Sequence, residues 1–188
     1  MSRRDQIRMS DDEVRAYFAE QRVIDVATMS PNGRPHLAPL WYFPRNGDSP
    51  ADAGSPADAG SPADAGSPAD AGSLADAGVP ALATWTYRKS QKIANLQRLP
   101  QATVLIESGE TYEQLRGVSM ECDVAFVEDT AETERIGTTL AMRYAGLEGD
   151  PPDELRAGIS QQAPKRVGLI FTPTKLVSWD HTKLGGTY

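Results

Sequence analysis

The feature that most restricts the fold of this chain is a six-residue repeat in residues 49–78, which read SPADAG four times and then SLADAG. Hexapeptide repeats build β-helices when an aliphatic side chain points inward in each turn, but Leu74 is the only large apolar residue of this block. Pro, Gly, Ala, Ser and Asp cannot bury enough surface to offset chain entropy. We therefore predict a flexible, disordered insertion at a loop tip, where added length costs little free energy.

The flanks of the repeat indicate where it is inserted. LWYFPRNGD precedes it and VPALATWTY follows it, and both are strand-like. The Asn46-Gly47 pair between them is a strong signal for a hairpin turn. We therefore predict a single domain over residues 1–188, in which the insertion at 49–78 interrupts a β-hairpin.

The charge of the chain is concentrated in the repeat. The net charge is −7, and the five Asp residues of the repeat account for most of it, which leaves −2 on the remainder. A nearly neutral body does not favour nucleic-acid binding. No apolar run approaches the roughly 20 residues of a membrane helix, and the N-terminal residues contain no signal-peptide pattern. With a single cysteine, Cys122, the chain is predicted to be cytoplasmic, without a nucleic-acid or membrane partner.

Strand patterns dominate the rest of the sequence, and most follow one another without a helix between them. The strand-like runs are 23–29, 35–43, 81–87, 102–107, 117–127, 166–171 and 175–179. The helix-like runs are 10–21, 90–99, 130–144 and 153–160. Pro35 and Pro39 indicate an edge position or a bulge for the second strand. These patterns predict an antiparallel barrel with attached helices.

A cationic stretch, TWTYRKSQKIANLQRLP at 84–100, places Arg88, Lys89 and Lys92 around a helix start capped by Ser90. Cations near a helix N-terminus are unfavourable by up to about 1 kcal/mol each. A phosphate or carboxylate would compensate, because it could accept from helix N–H groups, the Ser90 hydroxyl and the Lys92 ammonium. The alternative is a solvated helix face. Asn95, one turn later, either lines the same site or ties the helix to a neighbouring loop.

Two motifs, in this order and behind the capped first helix, resemble those of the flavin-binding split β-barrel family, also called pyridoxamine-phosphate-oxidase-like. VATMSPNGRPHLAPLWY (26–42) is similar to the family's L-A-T-x-x-x-D-G-x-P-H-x-x-P-x-W-F. WTYRKSQKIANLQRLPQATVLIE (85–107) is similar to its T-x-x-x-S-x-K-x-x-N-L-x-R-x-P-x-x-x-L. The resemblance covers most of residues 10–183 outside the repeat. It implies a mainly β (β+α) fold, a homodimeric antiparallel split β-barrel of the Greek-key type with attached helices.

The resemblance also implies which residues hold a cofactor at the subunit interface. In this family the second strand passes the flavin ring largely through backbone groups, which here implies Ala38, Pro39, Leu40, Trp41 and Tyr42. The end of the third strand and the start of the helix hold the phosphate, which implies Thr86, Ser90, Gln91 and Lys92. His36 also stands at a family position, where it either lines the pocket or is a half-exposed strand residue.

The chain departs from pyridoxamine-phosphate oxidases themselves. They carry Ser-Arg-Lys where this chain has Ser90-Gln91-Lys92, and an Arg where Ala38 falls. Their C-terminal substrate-binding arginine pattern is absent from SWDHTKLGGTY. The resemblance is therefore nearer to actinobacterial reductases that use FMN or the deazaflavin coenzyme F-420. Such enzymes often lack a fixed catalytic side chain, because the cofactor carries the hydride chemistry, so we predict no catalytic residue.

The resulting hypothesis is an oxidoreductase that moves a hydride between coenzyme F-420 (an 8-hydroxy-5-deazaflavin) or FMN and a small electron-poor molecule. The deazaflavin is slightly favoured, because its polyglutamate tail suits the loose cation set of Arg88, Lys89 and Lys92. The alternative is a non-catalytic protein of the same fold that stores or delivers the cofactor, or a haem-binding relative. His36 and His181 share no motif, so we predict neither a metal site nor an axial haem ligand.

Overall fold

Seven strands form one antiparallel sheet, in a computed structural model that describes residues 2–45 and 78–185. The strands are β1 Val23–Met29, β2 Pro35–Trp41, β3 Phe43–Arg45, β4 Ala81–Tyr87, β5 Gln101–Ser108, β6 Arg116–Val127 and β7 Arg166–Asp180. The helices are α1 Arg3–Gln6, α2 Asp11–Glu20, α3 Gln91–Arg98, α4 Thr130–Ala145 and α5 Asp153–Gln162. The Asn46-Gly47 turn and the repeat up to residue 77 lie outside the described residues.

The order of the strands shows that the sheet curls. It runs β2-β1-β5-β6-β7-β4-β3, so β2 and β3 lie at opposite edges. Only Tyr42 separates these two strands along the chain. Two edges joined by one residue must lie side by side, which requires a curled, barrel-like sheet with a split between β2 and β4. The Thr84 hydroxyl on β4 spans this split and donates to the carbonyl of Trp41. The predicted antiparallel barrel with attached helices is thus confirmed in its coarse form.

Most predicted elements are present, with informative differences at their ends. The second strand ends at Trp41 rather than at residue 43, because Tyr42 leaves the ladder, is fully buried and donates its hydroxyl to the carbonyl of Phe18 at 2.9 Å. Phe43–Arg45 then pairs with residues 81–83, as the predicted hairpin requires. The two predicted C-terminal strands are one strand, since Pro173 lies where the β6–β7 register shifts. Asp129, not Thr130, caps α4 by accepting from the Glu132 N–H at 2.8 Å.

The core lies on the concave side of the curled sheet and is covered by α2 and α3. Alternate residues of the strands point into it, which is the period expected of a half-buried sheet. The fully buried large side chains include Tyr17, Phe18, Ile24, Leu82, Leu96, Ile106, Met120 and Phe171. Burial of each such side chain stabilises the fold by roughly 1.5–3 kcal/mol. Within the described ranges, no helix is both long enough and apolar enough to cross a membrane.

Candidate functional site

Helix α3 begins at the end of β4, where a tight turn joins the two elements. The N–H of Ser90 donates to the carbonyl of Tyr87 at 3.1 Å, and the N–H of Arg88 donates to the carbonyl of Lys165 at 3.1 Å. The helix packs against β1 and β2 with Ile93 and Leu96 buried. The end of β4, the start of α3 and the start of β7 therefore meet at one corner of the sheet.

Lys92 is buried at this corner, with only 9% of its surface exposed. Its ammonium donates to the hydroxyl of Thr86 at 3.2 Å. Among the described residues, no carboxylate lies within 4.0 Å of it. Burial lowers the pKa of Lys92 below the usual 10.5, and the positive charge of Arg166 lowers it further. A buried cation without a counter-ion is costly, so the site favours an anionic ligand.

Ser90 is the N-cap of α3, but its side chain makes no capping hydrogen bond. Its hydroxyl oxygen is buried and has no hydrogen-bond partner in the described part of the chain. The first N–H groups of a helix also lack partners within the helix. An unsatisfied buried polar group costs about 1–3 kcal/mol. A phosphate oxygen would satisfy these donors, so the orphaned hydroxyl fits the phosphate of a cofactor.

Asn95 connects α3 to the sheet. Its side-chain amide donates to the hydroxyls of Thr28 at 3.0 Å and Ser30 at 3.4 Å. Its carbonyl oxygen accepts from the Gln91 amide at 3.0 Å. Of the two roles predicted for Asn95, the structure shows the structural tie, which here fixes the helix to β1. The Gln91 side chain is engaged in the same network beside Lys92.

His36 lies next to this network on β2. It pairs directly with Thr28 on β1 and is half-buried. Directly opposed residues of antiparallel strands share a face of the sheet, so His36 is on the same face as the Thr28–Asn95 contact. It is not among the residues that line the cavity described next.

A cavity of about 390 Å³ lies at the split between β2 and β4. One side of it is formed by three of the residues predicted to hold the flavin ring, Pro39, Leu40 and Trp41. The other side is formed by Trp85, by Gly137, Leu140 and Ala141 of α4, by Ile159 of α5, and by Arg166. Trp41 also stacks on Tyr144 near the end of α4, with ring centroids 3.7 Å apart. The cavity is thus mostly apolar with aromatic walls, as small-molecule sites usually are.

Arg166 is the site residue that the sequence did not indicate. It is the first residue of β7 and pairs with Tyr87. Its guanidinium lies 3.7 Å from the ring centroid of Tyr87 and 4.8 Å from that of Trp85. It both lines the cavity and acts electrostatically on Lys92. The only sequence signal was an arginine at the start of an apolar strand, because the pairing that brings it to Trp85 is not local.

The two cations left undecided by the sequence are placed differently. The guanidinium of Arg88 donates to the carbonyl of Glu128 at 3.0 Å, so it secures the chain between β6 and α4. Lys89 is exposed beside it. The structure therefore brings Thr86, Ser90 and Lys92 together at one end of β4. It places Pro39, Leu40 and Trp41 at the neighbouring cavity, with Arg166 between the two groups.

The comparisons with known proteins agree with this architecture. No family model and no curated protein matches the chain. A solved structure, the conserved hypothetical protein Rv2991 from Mycobacterium tuberculosis, is 30% identical with a TM-score of 0.74, over 100% of this chain and 95% of that one. The chain belongs to the same family as this protein.

More distant structures establish the fold. An F420 reductase is 17% identical with a TM-score of 0.51, over 86% of this chain and 93% of that one. HutZ, the heme storage protein from Vibrio cholerae, is 13% identical with a TM-score of 0.57, over 90% and 94%. A putative pyridoxamine 5'-phosphate oxidase from Listeria innocua is 14% identical with a TM-score of 0.54, over 90% and 98%. At these identities the likeness concerns the fold, which is the pyridoxamine-phosphate-oxidase-like split barrel.

Proposed function

We propose that this protein is an oxidoreductase that binds a flavin-type cofactor, coenzyme F-420 or FMN, and transfers a hydride between it and a small electron-poor organic molecule. The observation that carries the proposal is the start of α3, where a buried hydroxyl without a partner and a buried ammonium without a counter-ion, within the described residues, adjoin free helix N–H groups. This donor set suits a phosphate group. The likeness in fold to a reductase and to a putative oxidase supports the same conclusion.

The residues divide the work of binding between them. Lys92 and Ser90 would bind the cofactor phosphate, and Thr86 keeps the Lys92 ammonium oriented through their hydrogen bond. Gln91 and Asn95 hold the helix start in place against β1. Residues 39–41 offer an apolar lip for the ring system. A flavin-type group supplies the hydride chemistry when bound, so the chain needs only to bind, orient and exclude water.

We also propose that the protein acts as a homodimer. Large apolar side chains are exposed on the convex side of β1, β2 and β7, where Leu37 is 66% exposed, Trp41 54%, Val23 45%, Met29 41% and Val177 39%. Val23 pairs with Trp41, and Leu37 lies on the neighbouring pair, so β1 and β2 present a continuous apolar face. Such a face on a folded protein marks an interaction surface, and a second copy of the chain is its simplest occupant. Because Trp41 also lines the cavity, a dimer would complete the ring site.

The deciding experiment is the identification of the bound cofactor. The purified protein is expected to show a flavin or deazaflavin absorption spectrum, and the released cofactor is identified by its mass. Titration of cofactor-free protein with FMN and with coenzyme F-420 then ranks the two. A protein that binds neither would contradict the proposal.

Turnover separates an enzyme from a storage protein. Steady-state oxidation of the reduced cofactor is measured with a panel of enones and quinones. Turnover with at least one of them is the expected result. Binding of the cofactor without turnover of any would favour a carrier, which would be closer to the storage role of HutZ.

The proposed dimer is tested at its apolar face. Light scattering during gel filtration is expected to give the mass of two chains for the wild type. Leu37→Glu places a charge at the most exposed apolar position and is expected to give a monomer with much weaker cofactor binding. Val177→Glu, further along the sheet, makes a matched comparison. A wild-type monomer would contradict the dimer without touching the phosphate site.

A further inference from the structure

The cavity at the split contains one charged residue, and within the described chain that residue has no anionic partner. Arg166 is the sole charged side chain among the nine described residues that line the cavity. Its Nη2 donates to the Gln162 side chain at 2.9 Å, while its buried Nε lacks a hydrogen-bond partner within residues 2–45 and 78–185. In those same ranges no carboxylate lies within 4.0 Å of the guanidinium. A guanidinium at an apolar cavity presents a fork that matches a carboxylate.

The guanidinium is held in place before any ligand arrives. It is stacked against the rings of Tyr87 and Trp85, and stacking on aromatic faces fixes the plane of an arginine side chain. An oriented cation loses little side-chain entropy when it binds an anion. Nothing in the described fold uses its free N–H donor.

The remaining walls favour a flat ring. Trp41 stands on one side of the cavity and Trp85 on the other, and the volume of about 390 Å³ is at the lower end of the range for small-molecule sites. Gly137 keeps the Trp85 side open, because a β-carbon at this position would come within 2.6 Å of the Trp85 ring. The glycine therefore lets the indole lie flat against α4.

We propose that the wall of this cavity formed by Trp85, Gly137 and Arg166 is the substrate pocket, and that it takes small planar ring compounds that carry a carboxylate. The ring lies against the indole of Trp85, and the carboxylate accepts hydrogen bonds from Arg166. In the role of substrate, this ligand rests on the proposed function, because β2 across the cavity then holds the cofactor ring. The phosphate of the cofactor goes to Lys92 and Ser90, and the carboxylate of the substrate goes to Arg166.

The test compares an aromatic acid with its neutral analogue. Binding of 2-naphthoate and of 2-naphthylmethanol is measured by calorimetry and by tryptophan fluorescence, on cofactor-free and cofactor-loaded protein. The wild type is expected to bind the acid at least about tenfold more tightly. Arg166→Met is expected to bring the ratio of the two affinities close to one, with Arg166→Lys in between. Lys175→Met, which removes a charge from the exposed side of the same strand, is expected to keep the wild-type ratio.

A second variant separates shape from charge. Gly137→Ala pushes the Trp85 ring into the cavity and is expected to weaken both ligands severalfold while it leaves their ratio unchanged. Each variant is first compared with the wild type by circular dichroism and thermal unfolding. Because Gly137→Ala keeps Arg166, it tests the pocket even where Arg166→Met folds poorly.

Three results would overturn the inference. The first is a wild type without preference for the acid, and the second is a preference that survives Arg166→Met. The third is a loss in Arg166→Met of affinity for FMN but not for riboflavin, which lacks the phosphate, with naphthoate binding unchanged. That result would assign Arg166 to the cofactor. Failure of the proposed function looks different, since the protein would then bind neither FMN nor F-420 while the naphthoate preference persists.

Discussion

Helices α2 and α3 start with the same residue type and treat it in opposite ways. Ser10 caps α2 by accepting from the Glu13 N–H at 3.3 Å, and the Glu13 carboxylate accepts from the Ser10 N–H in return. Asp11 and Asp12 add negative charge to that first turn. Ser90 caps α3 without a side-chain hydrogen bond, and the first turn of α3 has no acid but a buried lysine.

The difference teaches how a structural helix start differs from one available to a ligand. The N-terminus of α2 is satisfied entirely by its own residues, which is what stability alone requires. In the described chain, the N-terminus of α3 leaves a hydroxyl without a partner and an ammonium without a counter-ion, at a position where an acid would normally stand. Departures from local rules of this kind concentrate at functional sites.

The largest effect expected from this contrast is on cofactor affinity. Lys92→Met is expected to weaken FMN binding about 10- to 100-fold, because a hydrogen bond to a charged group contributes roughly 1.5–3 kcal/mol and each 1.4 kcal/mol is tenfold. Riboflavin affinity is expected to change little. Fluorescence titration measures both, with Lys175→Met as the control. Equal losses for FMN and riboflavin would place Lys92 away from the phosphate.

The two caps themselves form the next comparison. Ser10→Ala is expected to cost about 1 kcal/mol of unfolding free energy, the usual value of an N-cap. Ser90→Ala is expected to cost nothing in the cofactor-free protein, because it removes a hydroxyl that has no partner among the described residues. It should instead weaken FMN binding severalfold. Urea unfolding and titration measure the two effects. Equal losses of stability would show that Ser90 is an ordinary cap.

Lys92 should also cost stability in the absence of ligand. Its pKa is lowered in the folded protein, so the charged form is disfavoured there, and Lys92→Met is expected to raise the unfolding free energy at neutral pH by about 0.5–2 kcal/mol. Between the lowered pKa and 10.5 the unfolded chain binds more protons, so the wild type gains stability as pH rises. The advantage of the variant should therefore shrink toward pH 10.5. Urea unfolding across this range measures it, and an advantage that grows with pH would contradict the assignment.

The smallest effect concerns the self-contained cap. Lys183 and the Ser10 N–H hold the pKa of Glu13 below 4.5, so the stability that this carboxylate contributes is present above that pH. It is lost as pH falls through the lowered pKa. Glu13→Gln is expected to flatten the acid side of the stability curve slightly, because the pair is partly exposed. Thermal unfolding between about pH 3 and pH 7 measures this, and FMN affinity should not change.

The sequence predicted those parts of the fold that are encoded locally. β1 and β4 have the predicted bounds, because alternating apolar residues and flanking turns define them. Helix α1 escaped prediction, since its four residues bury nothing and have no apolar period. The C-terminal strand was divided in two at Pro173, because its place at a shift in register depends on its partner β6.

The same distinction applies to the site. Ser90 and Lys92 were found because their charge and capping pattern break a rule that acts within one helical turn. Arg166 was not found, because its approach to Trp85 and Tyr87 depends on the pairing of β7 with β4, about eighty residues apart. The engagement of Arg88 with the carbonyl of Glu128 was likewise a matter of tertiary contact.

Tyr42, the one residue between β2 and β3, gives the site a mechanical meaning. The cavity has β2 on one side and Trp85 of β4 on the other, which are the first and sixth strands in the order of the sheet. A molecule bound between them acts as a clasp across the seam. Opening of the barrel at this seam releases the ligand, and ligand binding slows opening, so the lifetime of the complex and the kinetic stability of the barrel should rise and fall together.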